Sequence, residues 1–117
     1  MAAWVLPIVS GVQQNLQPVY RLNSSNAVVP LPLNVTAANT ALYLEMYGTG
    51  VRGAKKVTAT VADVNVPVLF SGAAPGYAGE DQVNIGPLPP SLAGKGSVNI
   101  IVTADGQTAN TVTVTVQ

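Results

Sequence analysis

Ten charged side chains, five acidic and five basic, are the groups from which acid–base or metal chemistry would have to be built. The acids are Glu45, Asp63, Glu80, Asp81 and Asp105, and the bases are Arg21, Arg52, Lys55, Lys56 and Lys95. Histidine and cysteine are absent. There is therefore no imidazole base, Ser–His pair, thiolate nucleophile or sulfur-ligated metal site. Paired carboxylates hydrolyse glycosides when they flank the bond at a defined separation. Here Glu45 falls in a strand, Asp63 and Asp105 fall in turns, and Glu80 and Asp81 stand at a loop end, so spacing brings no pair together. The expectation is a non-enzyme, with no catalytic residue, cofactor or metal site assigned. Glu80–Asp81 has two readings. One is a solvated pair at a strand start, with Asp81 bonding nearby backbone amides. The other is a Ca²⁺ site completed by loop carbonyls, for which two adjacent acids are a minimal ligand set. The sequence leaves calcium open.

The other candidate chemistry is stacking. The aromatic residues are Trp4, Tyr20, Tyr43, Tyr47, Phe70 and Tyr77. In "ALYLEMY" (41–47), Tyr43 and Tyr47 share parity opposite Leu42, Leu44 and Met46, so their rings could form a platform for sugar faces or simply cover the sheet edge. Tyr77 is expected to lay its ring over the end of the core. Tyr43, Tyr47 and Tyr77 are the ligand-binding candidates. Trp4 is grouped with Leu6 and Ile8 as core, since a Trp buries a large apolar area. The basic cluster "RGAKK" (52–56) reads as a solvated approach to a hairpin, with contact to an acidic partner or polysaccharide as the alternative.

The elements that must position these groups follow from period-two alternation. "NTVTVTV" (110–116) sets Val112, Val114 and Val116 against Thr111, Thr113 and Thr115, and β-branched residues suit a half-buried pleat. "SVNIIVTA" (97–104) precedes it, joined through Asp105-Gly106, a strong two-residue hairpin signal. A second hairpin is expected over 57–70, turning near Asp63-Val64-Asn65. Pro67 within it calls for an edge or a bulge. Further strands are expected at 3–9, 17–22 and 41–47. Residues 28–33 are extended, and Pro30 and Pro32 make them an edge or connecting segment. The glycine- and proline-rich segment 69–92 holds the strand "DQVNIG", and its "GAAPGYAG" is expected to carry the chain from one sheet to the other. Residues 89–96 have room for one short helical turn.

Chain length and composition agree. The chain has 117 residues, enough for one core, and it is 48% hydrophobic with only 9% charged residues. The fold class expected is all-β, an immunoglobulin-like antiparallel β-sandwich of seven to nine strands, as one domain over 1–117. A small closed barrel is the alternative. A net charge of zero gives no grip on phosphate, which disfavours nucleic acid and anionic membranes. "MAAWVLPIVSG" lacks a base before its apolar run and is too short to span a bilayer, so it reads as a strand and not as a signal peptide.

From Leu42 to the C-terminus the chain resembles an uncharacterised C-terminal domain abundant in acidobacterial exported proteins. More distantly it resembles the IPT/TIG immunoglobulin-like domains. The resemblance is carried by Gly48-Thr49-Gly50, Arg52-Gly53, Val68-Leu69-Phe70, Tyr77, Asp81-Gln82-Val83-Asn84, Leu88-Pro89, Ser91-Leu92-Ala93-Gly94, Asp105-Gly106 and Asn110-Thr111-Val112. It implies an all-β module of a larger extracellular or cell-surface protein and carries over no catalytic residue. The resulting expectation is a non-catalytic structural or interaction module serving spacing, adhesion or self-assembly, with a carbohydrate-binding module as the alternative. Expected partners are neighbouring domains of the parent protein or copies of itself, with polysaccharide as a further candidate and no membrane insertion. Lightly charged edge strands favour such pairing, and the first strand could exchange between subunits.

Overall fold

The alternating segments fold as strands in the computed structural model, which describes residues 2–117. Their order is β1 (Ala2–Val9), β2 (Val12–Gln13), β3 (Gln17–Pro18), β4 (Tyr20–Leu22), β5 (Val28–Pro30), β6 (Thr40–Gly48), β7 (Val57–Val61), β8 (Val64–Val66), β9 (Val68–Ala73), β10 (Asp81–Ile85), β11 (Gly96–Ala104) and β12 (Gln107–Val116). One 3₁₀ turn, Pro90–Leu92, lies between β10 and β11. All paired strands run antiparallel. Among the described residues no helix is long and apolar enough to cross a membrane.

Two sheets face each other. The first has the order β2-β1-β6-β10-β9, with β3 also on β1, and the second has the order β12-β11-β7-β8. Taken as strands A, B, E and D, β1, β6, β10 and β9 form one immunoglobulin sheet. β12, β11, β7 and β8 form the other as G, F, C and C′. The eight strands of that frame lie within the expected seven to nine, and β2 to β5 are short extra segments in the long connection from β1 to β6. Along that connection Leu33 makes a parallel bridge to Val116. The chain therefore touches the second sheet before β6 returns it to the first.

The core is aliphatic. The first sheet contributes Val5, Leu44, Met46, Val83 and Ile85, and the second contributes Val61, Val98, Ile100, Val102, Val114 and Val116, all buried. Burying each such side chain contributes about 1.5–3 kcal/mol. All six aromatic residues lie outside this buried set.

Several local expectations change. The β7–β8 turn is Ala62-Asp63, one residue before the expected start, and both residues hold positive φ (49° and 64°). That is what a two-residue turn matched to strand twist requires. Segment 17–22 breaks at Val19, which is buried between β3 and β4. "GAAPGYAG" does not cross between sheets, because β9 and β10 on either side of it pair with each other; it is a hairpin loop. The crossing is at Pro67, between β8 at the edge of one sheet and β9 at the edge of the other. A residue without an N–H sits where ladder pairing changes sheets. Finally, Trp4 is 41% exposed and Leu6 and Ile8 are only partly buried, whereas Ala3 and Val5 face the core. "AWVLPIV" is apolar throughout, so its own pattern does not choose a face. Register with β6 does, by setting Val5 opposite Leu44 and Trp4 opposite Glu45.

Candidate functional site

Residues directly opposite each other in a sheet share a face, so register alone assembles the outer surface of the first sheet. One row runs Trp4–Glu45–Asn84–Phe70 across β1, β6, β10 and β9. A second sets Tyr47 beside Gln82, and a third sets Leu6 beside Tyr43. The β9–β10 loop adds Tyr77, whose ring meets that of Tyr47 edge to face, with centroids 6.2 Å apart and planes at 68°. Five of the six aromatic residues thus belong to one face, and only Tyr20 stands elsewhere, on β4. Tyr77 is 63% exposed. It lies on the outer face against Tyr47 and not over the end of the core as expected, because its loop is a hairpin within this sheet.

Two depressions mark this face. Trp4, Leu16, Tyr47, Tyr77 and Glu80 line a cleft of about 380 Å³. Leu6, Ile8, Tyr43, Leu44, Glu45, Leu69 and Asn84 line a second of about 310 Å³. Of the three expected ligand-binding residues, Tyr47 and Tyr77 come together in the first, while Tyr43 lines the second. Trp4, Glu80 and Leu16 complete the first cleft. Its Trp was missed because a uniformly apolar strand hides which face each residue takes.

The polar groups of this face are mutually engaged. The Tyr47 hydroxyl donates to Glu45 Oε1 at 2.8 Å, and Gln82 Nε2 donates to Asn84 Oδ1 at 2.9 Å. Partial burial, the bond to Glu45 and the negative charges of Glu45 and Glu80 push the Tyr47 phenol up to about 12. Each of these penalises a phenolate. The face can stack, pack and accept hydrogen bonds.

Asp81 has a different task. It is only 4% exposed, and its carboxylate reaches across to the β6–β7 loop, residues 49–56. Oδ2 accepts from the backbone N–H of Val51 at 3.1 Å and of Arg52 at 3.0 Å, and Oδ1 accepts from Arg52 Nε at 2.9 Å. Arg52 Nη2 donates to the Glu80 carbonyl at 2.9 Å. Burial alone would raise the Asp81 carboxyl. The Val51 and Arg52 amides and the guanidinium outweigh it and hold the group below the usual carboxylate range. At the other end of the loop, Asp105 accepts from the backbone N–H of Lys55 and of Lys56 at 3.1 and 2.8 Å. The segment expected as a solvated basic approach is therefore clamped by one aspartate from each sheet. Asp81 is buried and bonded to amides about thirty residues away in sequence (|i−j| of 30 and 29), not to its neighbours. A carboxylate surrounded by N–H donors and a guanidinium suits an internal tie; a cation placed there would meet Arg52. Among the described residues no group of three or more acids is placed to hold a metal ion.

No family model, curated protein or solved structure matches this chain.

Proposed function

We propose that this domain is a non-catalytic interaction module of a bacterial exported or cell-surface protein, and that it docks through the outer face of its first sheet. The observation that carries the reading is the segregation of side chains. The core is built of Val, Leu, Ile, Met and Ala, while Trp4, Tyr43, Tyr47, Phe70 and Tyr77 all stand on one surface. Aromatic side chains kept out of the core and gathered on one face are characteristic of interaction surfaces. Three of the five acids are engaged in internal hydrogen bonds, Glu45 to Tyr47, Asp81 to the β6–β7 loop and Asp105 to the same loop, which supports a structural role for them. The extracellular setting and kinship with acidobacterial and IPT/TIG-like domains rest on the motif resemblance from Leu42 to the C-terminus.

The expected partner is a neighbouring domain of the parent protein or a second copy of this one. Sedimentation velocity over a range of concentrations tests the second case. Self-association that weakens in Phe70→Ser and Leu69→Ser supports the face as the contact. A strict monomer whose parent protein also keeps this face solvent-accessible defeats the reading. Carbohydrate binding is the second reading, favoured by the aromatic-lined cleft at Trp4, Tyr47 and Tyr77. A glycan array that shows selective binding, abolished by Tyr47→Ala, would favour it.

A further inference from the structure

The cleft beside Trp4 combines aromatic rings with an acidic residue. Three aromatic residues, Trp4, Tyr47 and Tyr77, line it together with Leu16 and Glu80. None of the five basic side chains is among its lining residues. Two of the rings, Tyr47 and Tyr77, stand at 68° to one another and so form adjoining walls of a corner. Trp4 is the diagonal cross-strand neighbour of Tyr47, since Trp4 faces Glu45 and Ala2 faces Tyr47, a spacing large rings can bridge. Glu45, which lines the second depression, accepts a hydrogen bond from the Tyr47 hydroxyl at 2.8 Å and places a second negative charge next to Tyr47. Burial first, and then the hydrogen bond and charge of Glu45 and the charge of Glu80, push the Tyr47 phenol up.

We infer that the Trp4–Tyr47–Tyr77–Glu80 cleft is a binding site for a methylated ammonium group, of the kind carried by choline. Ring faces attract a cation through their quadrupole, and a soft, poorly hydrated alkylammonium gives up little solvation to enter. Glu80 supplies charge complementarity without a tight ion pair. The cleft volume of about 380 Å³ is at the small end of ligand sites, sufficient for a compact head group. This inference rests on the outer face being the binding surface, but it can fail while docking through that face survives.

Trp4 is the sole tryptophan of the chain and lines the cleft, so its fluorescence reports occupancy directly. Choline and tetramethylammonium chloride are expected to quench it saturably, with dissociation constants in roughly the millimolar range for so shallow a cage. Dimethylbutanol, the neutral carbon isostere of choline, should bind about tenfold more weakly. Tyr77→Ala and Glu80→Gln, both at solvent-exposed positions, should each weaken choline binding while leaving the circular dichroism spectrum unchanged. Added salt should weaken binding in wild type more than in Glu80→Gln. Co-sedimentation with phosphatidylcholine vesicles alongside choline binding would assign a lipid head group as the source, and choline binding without it a free solute; either supports the site. Equal binding of choline and its neutral isostere overturns the inference. So does quenching by cellobiose in place of choline, or the absence of any saturable response. Persistent self-association in that last case would leave the docking function standing.

Discussion

Asp81→Ala tests the claim that one buried carboxylate holds the β6–β7 loop onto the first sheet. The substitution removes the acceptor of three hydrogen bonds at 3.1, 3.0 and 2.9 Å. The three donors do not suffer equally. The Val51 N–H belongs to a residue 2% exposed, and an orphaned buried amide costs about 1–3 kcal/mol. The Arg52 N–H is partly buried and adds a smaller term. The Arg52 side chain is 53% exposed, so its guanidinium is rehydrated when the carboxylate goes, and the ion pair itself contributes at most about 1 kcal/mol. The total is about 2–4 kcal/mol. At a urea slope of about 1–2 kcal/mol/M, the unfolding midpoint falls by roughly 1–4 M. Arg52→Ala should cost clearly less than Asp81→Ala, because the backbone amides keep their acceptor. Asp81→Asn retains a carbonyl oxygen for those amides and should fall between the two. The pH dependence has a definite sign. The folded-state carboxyl lies below its ordinary value, so the unfolded chain takes up the proton first as pH falls. The Asp81 contribution is then whole above the unfolded value of about 3.9 and is lost as pH drops through the folded one. The gap between wild type and Asp81→Asn, measured by urea unfolding with circular dichroism, should narrow over that acid range. An Arg52→Ala loss equal to that of Asp81→Ala, or a gap that is constant with pH, would refute the assignment of the stabilisation to amide bonds at an ionised Asp81.

Two further outcomes follow from the same face. Tyr47 should titrate near 12 in a phenolate absorbance titration, and Glu45→Gln should lower that value; a tyrosine in the unfolded chain ionises near 10. The contribution of Tyr47 to stability is therefore complete below about 10 and lost as pH rises to about 12, and a Tyr47→Phe variant should lack that alkaline component of unfolding. Gly86→Ala should destabilise by more than about 2 kcal/mol, read as a lowered urea midpoint with unchanged slope. Gly86 holds φ +141°, and an added Cβ would lie 2.6 Å from Tyr43 Cδ1 and 3.1 Å from the Leu42 carbonyl oxygen. A near-neutral Gly86→Ala would mean that the Tyr43 ring and its strand give way more readily than this packing allows.

The sandwich was legible in the residues because its signals are local. Val112, Val114 and Val116 alternate with threonines, and Val98, Ile100 and Val102 declare a buried face in the same manner. Asp105-Gly106 specifies its hairpin with both residues at positive φ (49° and 84°). Parity on β6 likewise separated Tyr43 and Tyr47 from Leu42, Leu44 and Met46, and the structure keeps that separation. Signals that depend on a partner were not legible. "AWVLPIV" offers no polar residue to mark its outer face. The residues suggest a sheet crossing at 72–79 and not at Pro67, because glycine and proline mark bends without saying which strands pair on either side.

Composition and alternation by themselves determined an all-β chain with an aliphatic interior and with neither imidazole nor thiol, since these are properties of residue type and near neighbours. Tertiary structure alone decided that Trp4, Tyr47, Tyr77 and Glu80 share one cleft, and that Asp81 ties down a loop about thirty residues away in sequence (|i−j| of 30 and 29). The physical reason is that both outcomes depend on cross-strand register and chain reversal, which bring together side chains that no spacing within a single segment connects.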